Sequence, residues 1–204
     1  VRTRFEVLVV CTANVSRSPL GVALLRHHLT ERFGEAAATI RVTSAGTDAR
    51  DGEPTDRAVA EVLRRLHRPV LATGPARRLD ARLVDTADLV LTMTRTQRAS
   101  VITTVPPAQR RVFTVLELAR IARRLGGDHR LPASSAPAAA LRALVTAAPA
   151  WRGPTAPQDP ASDDVADVHL LEVEEQLKAG RRLDEAFAAV VAALPGPPAG
   201  AAPR

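Results

Sequence analysis

The sequence is poor in the residues that build several kinds of site. Its 204 residues include one cysteine, one tryptophan, four phenylalanines and no tyrosine. A single cysteine cannot close an internal disulfide, and no Cys/His pair stands at metal-ligand spacing. His27 and His28 are adjacent, so on a helix they point to different sides and cannot share a metal as an i, i+4 pair does. With aromatics at 2%, stacking platforms for single-stranded nucleic acid are missing. Lysine is nearly absent too: Lys178 is the only one, and the net charge of +6 rests on arginine. The arginines are scattered rather than gathered in a stripe, which argues against nucleic acid and suits an anionic substrate equally well. No run of about 18 apolar residues suggests a membrane span, and nothing resembles a secretory signal. A cytoplasmic protein with no nucleic-acid and no membrane partner is expected.

What is present is a foldable chain. Apolar residues make up 46%, enough for one domain with a sizeable core, expected over residues 1–194 with a disordered tail from Pro195 to Arg204. Phe5 to Val10 reads as a short buried strand. Leu20, Val22, Leu24, Leu25 and Leu29 form a helical stripe from Pro19 to Arg32. Ala38 to Ser44 reads as a second strand and Thr55 to Leu66 as a helix. Ala87 to Met93 and Arg111 to Val115 read as a third and a fourth strand. Ala138 to Ala148 is expected to be helical, Ala150 to Asp164 a long surface loop, and Leu170 to Leu194 a final helix interrupted near Gly180. Strands alternating with helices imply an α/β, three-layer fold: a central four-stranded parallel sheet with helices on both faces.

The chemistry concentrates where the first strand ends. Val7 to Gly21 reads VLVVCTANVSRSPLG. Ligands of open parallel sheets bind beyond the carboxyl ends of the strands, and Cys11 falls there. The residues Thr12, Ala13, Asn14, Val15, Ser16 and Ser18 must turn and enter a helix. Backbone N–H groups at a helix start, with the helix dipole, form an anion site. Asn14 tolerates a left-handed backbone. Arg17 adds a planar fork matched to phosphate oxygens. Thiolates are stabilised at helix starts and beside arginine. A free cysteine is most often a small buried hydrophobe, but here Arg, Ser and Pro follow at the spacing that a thiolate nucleophile and an oxyanion cradle require.

Cys11 to Pro19 resembles the C-x5-R-S-P phosphate loop of the low-molecular-weight protein tyrosine phosphatases. Ser44-Ala45-Gly46-Thr47, Gly52-Glu53-Pro54 and Asp88-Leu89-Val90-Leu91 leading to Met93 are similar to segments of the same family. The resemblance implies hydrolysis of phosphotyrosine protein or small aryl phosphates, with Cys11 attacking phosphorus and Arg17 and the loop amides holding the oxygens. It implies that Ser18 donates to the thiolate, that Asn14 and Ser44 brace the loop, and that inorganic phosphate or a similar oxyanion occupies it. No metal or cofactor is implied, and a monomer or weak dimer is expected.

The family's general acid is an aspartate on a loop before the last helix, followed by proline and an aromatic. Asp167, in Asp163-Asp164-Val165-Ala166-Asp167, has the position; Asp159-Pro160 has the dipeptide and remains the alternative. Val168 and His169 stand where proline and an aromatic belong. Ala13 replaces a glycine and would be strained by roughly 1–2 kcal/mol if its φ were positive. Ser16 replaces a second cysteine that protects the nucleophile, and Gly74, ahead of Ala76-Arg77, replaces a histidine that braces Ser44. The loops after Thr47 and around Trp151 are expected to form the pocket rim. Two other functions share these features: an arsenate reductase using an external low-molecular-weight thiol, and a catalytically weak phosphate- or protein-binding homologue.

Overall fold

Seven residues from Phe5 to Cys11 form strand β1, and the pattern of burial explains why. Val7, Val9 and Cys11 enter one core while Leu8 and Val10 enter another. A strand apolar on both faces belongs in the middle of a parallel sheet covered on both sides. In the computed structural model, which describes residues 4–127, 130–132, 134, 136–169 and 171–195, β1 does lie in the middle. The sheet order is β2-β1-β3-β4 and every pairing is parallel. Here β2 is Ile40–Gly46, β3 is Leu89–Thr92 and β4 is Val112–Thr114.

The helices divide between the faces. Helices α1 (Arg17–Phe33), α2 (Arg57–Arg65), α5 (Val115–Gly127), α6 (Pro137–Ala147) and α7 (Val173–Ala192) contribute to the larger core. Helices α3 (Ala81–Thr86) and α4 (Arg95–Thr104) cover the other face through Val84 and Val101. The α/β three-layer expectation therefore holds. The parallel pairing brings the carboxyl ends of β1 and β2 together, with Cys11 opposite Gly46.

Several sequence readings change. β2 runs on to Gly46 because its last residues pair with Val10 and Cys11. α7 is continuous through Gly180. That glycine is a contact point and not a break: a Cβ there would come within 2.6 Å of Val62 Cγ1 on α2. Helices α3, α4 and α5 have no counterpart in the sequence reading. α4 is hard to see because only Gln97 and Val101 of RTQRASVITT are buried. Ala150 to Asp164 holds short 3-10 turns at Ala148–Trp151 and Pro160–Asp163. The tail beyond Pro195 lies outside the described residues.

Candidate active site

Cys11 ends β1 and Arg17 begins α1, so the intervening loop reverses direction directly over the sulfur. Asn14 takes the left-handed backbone that its position demands, with φ 59°. Ala13 is not among the residues with positive φ, so the strain expected of it does not arise; the turn is made one residue later. The Asn14 N–H points at Cys11 Sγ, 3.3 Å away, and the Ser18 hydroxyl lies 3.0 Å from the same sulfur.

The orientation of these groups is determined by their neighbours. The Arg77 backbone N–H donates to Asn14 Oδ1 at 2.9 Å, which leaves the Asn14 amide nitrogen to donate to Ser18 Oγ at 2.8 Å. Ser18 Oγ thus accepts from Asn14 and has its own hydrogen for the sulfur. A thiolate accepting from both Asn14 and Ser18 is the arrangement that stabilises charge on sulfur.

The end of β2 seats the loop from below. Thr47 N–H donates to the Cys11 carbonyl and Asp48 N–H to the Thr12 carbonyl, each at 2.9 Å. Gly46 makes this approach possible: a Cβ there would lie 2.3 Å from the Thr12 carbonyl oxygen. Ser44 takes part through its carbonyl, which accepts from the Arg77 guanidinium at 2.9 Å. Arg77 therefore touches both supports, Asn14 and Ser44. Val15 and Ser16 are buried under the loop, Val15 packing with Ala49 and Ala76.

The Arg17 side chain is 5% exposed and meets the segment that carries the candidate acids. Its guanidinium donates to the Val165 carbonyl at 3.2 Å and to Asp167 Oδ2 at 2.5 Å. Asp167 thus lines the same cleft as Thr12 and Arg17, held by the Arg17 guanidinium. Asp159 does not: it caps the 3-10 turn that follows, accepting from Ala161 N–H at 2.9 Å. The other two aspartates of the segment are tied to the body. Asp163 accepts from Arg120 on α5 at 2.7 and 3.0 Å, and Asp164 accepts from the Arg95 backbone and guanidinium. Val165 N–H adds a 2.8 Å bond to the Met93 carbonyl.

A cleft of about 420 Å³ opens here, walled by Thr12, Arg17, Thr47, Gln97 and the residues from Asp164 to Asp167. Trp151 and Arg152 do not line it; Trp151 lies beneath the guanidinium groups of Arg124 and Arg130, and Arg152 stacks on Phe113. A larger cleft of about 970 Å³ runs along the β2 edge past Arg4, Arg41 and Arg82. The sequence reading missed Gln97. Its side-chain oxygen accepts from the Met93 and Thr94 N–H groups, and its nitrogen donates to Thr12 Oγ1 at 3.0 Å. The signal was there in Thr94-x-x-Gln97, a capping box that opens α4.

Comparison with known proteins finds relatives in sequence and in fold. The sequence profile described as "Low molecular weight phosphotyrosine protein phosphatase" matches residues 6–129. A relative named probable low molecular weight protein-tyrosine-phosphatase EpsP, from Ralstonia solanacearum, is 34% identical over 112 residues, covering 55% of this chain and 71% of its own. The crystal structure of the Erwinia amylovora tyrosine phosphatase amsI superposes with a TM-score of 0.63 at 20% identity, over 93% of this chain and 92% of that one. The arginine phosphatase YwlE from Geobacillus stearothermophilus superposes with a TM-score of 0.61 at 20% identity, over 92% and 90%; at this identity both structures speak to the fold alone.

Proposed function

The chain belongs to the low molecular weight phosphotyrosine protein phosphatase family, and from this premise we propose that it hydrolyses phosphotyrosine and related aryl phosphate monoesters through a phosphocysteine on Cys11. The observation that carries the proposal is the sulfur itself, flanked by the Asn14 N–H at 3.3 Å and the Ser18 hydroxyl at 3.0 Å. These donors favour an ionised sulfur and later help it leave. Arg17 and the amides of Thr12 to Ser16 receive the equatorial oxygens, so that charge is met by preorganised donors.

The reaction runs in two displacements. Cys11 Sγ bonds to phosphorus as the bond from phosphorus to the aryl oxygen breaks, and Asp167 gives its proton to that oxygen. A phenolate has a pKa of about 10 and leaves poorly without one. A water then attacks phosphorus, Asp167 takes the water's proton, and the sulfur–phosphorus bond breaks to release inorganic phosphate and the thiolate. Arg17 serves both partners: in the free enzyme it holds Asp167, and an entering phosphate competes for the same guanidinium, turning Asp167 free to meet the leaving oxygen.

The test is a substrate comparison. Cys11→Ser is expected to lose at least ~10³-fold in kcat with any aryl phosphate, and acid-quenched enzyme should carry phosphate on Cys11 by mass spectrometry. Asp167→Ala should lose ~10²-fold with phosphotyrosine and far less with an activated aryl phosphate, whose leaving group needs no proton. The same contrast from Asp159→Ala would overturn the choice of acid. Because a protein of the same fold is named an arginine phosphatase, phosphoarginine is the comparison substrate; faster turnover of it than of phosphotyrosine would overturn the substrate class.

A further inference from the structure

We propose that His169 is a positioning residue for Asp167, anchored to the phosphate loop through Asp56. The inference rests on Asp167 being the acid. His169 Nδ1 lies 3.1 Å from Asp56 Oδ2, with side chains 33% and 21% exposed. An ionised carboxylate only accepts, so the ring nitrogen facing it carries the hydrogen. The His169 backbone N–H donates to Asp167 Oδ1 at 3.3 Å. One residue therefore holds the acid with its main chain and a fixed partner with its ring.

That partner is rooted in the site. Asp56 N–H donates to the Val15 carbonyl at 2.8 Å, and Asp56 Oδ1 accepts from Ala58 N–H at 2.9 Å as the N-cap of α2. A continuous path of hydrogen bonds thus runs from the acid through His169 and Asp56 to the phosphate loop. It matters because of what happens to Arg17. The Asp167 side chain is 55% exposed, and its strongest contact is Arg17, which substrate phosphate claims. Once that contact is given up, the His169 N–H still accompanies the carboxyl. The arginine ties at Asp163 and Asp164 end before it, and Val168 has no ring to fix its φ as a proline would. The ring of His169 supplies the rigidity from outside the segment.

The experiment compares phosphotyrosine with an activated aryl phosphate in the whole 204-residue chain. His169→Ala is expected to lower kcat for phosphotyrosine about tenfold, the scale of a small misplacement of a catalytic group, with kcat and KM for the activated ester within about twofold. His169→Asn, whose amide N–H stands near the position of Nδ1, should recover most of the loss. Asp56→Ser keeps a good helix cap but cannot reach the ring, so it should reproduce the His169→Ala contrast, and the double variant should lose no more than either single one. Equal losses on both substrates, no loss at all, or no recovery by asparagine overturns the inference while Asp167→Ala keeps its own contrast. Absence of contrast in Asp167→Ala overturns the acid assignment itself, and this inference with it.

Discussion

The phosphate loop and the acid segment are built in opposite ways. The loop is short and mostly buried, and its polar groups bond to one another: Asn14, Ser18 and Cys11 meet within a few residues, with Arg77, Thr47 and Asp48 bracing it from outside. The proposed acid segment is more exposed, and its ion pairs come from far along the chain, from Arg17, Arg95 and Arg120. Arg182 adds donations to the carbonyls of Ser162 and Asp164. The nucleophile's surroundings must be invariant to a fraction of an ångström, and a local turn provides that. In the proposed mechanism the acid moves when Arg17 changes partner, and separate ion pairs along an exposed segment allow it.

Arg17 belongs to both regions, so after that of Cys11 its replacement has the largest expected effect. Arg17→Lys keeps the charge but loses the planar fork, and kcat/KM should fall by ~10²–10³-fold on every substrate; steady-state kinetics with two leaving groups checks this. Gly46→Ala attacks the loop alone. Its Cβ has no room beside the Thr12 carbonyl, so thermal unfolding should show a loss of ~1–3 kcal/mol, and activity should drop alike for good and poor leaving groups. Arg120→Ala attacks the acid segment alone. It removes the tie to Asp163 and should slow phosphotyrosine turnover by several-fold, about 1 kcal/mol of positioning, while sparing the activated ester. Equal losses on both substrates from Arg120→Ala would erase the distinction between the regions.

The smallest effect belongs to a cluster remote from both. Burial of Asp184 opposes its ionisation, but donation from Arg68 and His28 outweighs that and holds the carboxyl below its ordinary range. A depressed carboxyl contributes stability above its unfolded value near 4 and loses it as pH falls through the folded one. Denaturant midpoints should therefore decline below about pH 4, and Asp184→Asn should flatten that decline without touching activity at neutral pH.

Much of the nucleophilic half was readable from residues alone. The run Val7–Val10 is apolar on both faces, and the cysteine, asparagine, arginine and serine that follow are separated by a few bonds, so local sterics bring them together. The supporting glycine was legible as part of a segment, though its role as a space for the Thr12 carbonyl was not. The helices that went unassigned show why. α4 buries Gln97 and Val101, too little for a periodic apolar stripe, and its meaning lies in where Gln97 points. Gly180 looked like a break because propensity disfavours it, yet contact with α2 repays the cost.

Composition and local pattern alone place the sheet's central strand and the loop that follows it, with Cys11 at the loop's start and Arg17 at the helix that closes it. These depend on interactions between near neighbours, whose geometry is set by covalent connectivity. Which aspartate meets Arg17, and why His169 faces Asp56, depend on ion pairs joining residues more than a hundred positions apart. Spacing along the chain carries no record of those distances; packing of the helices against the sheet creates them.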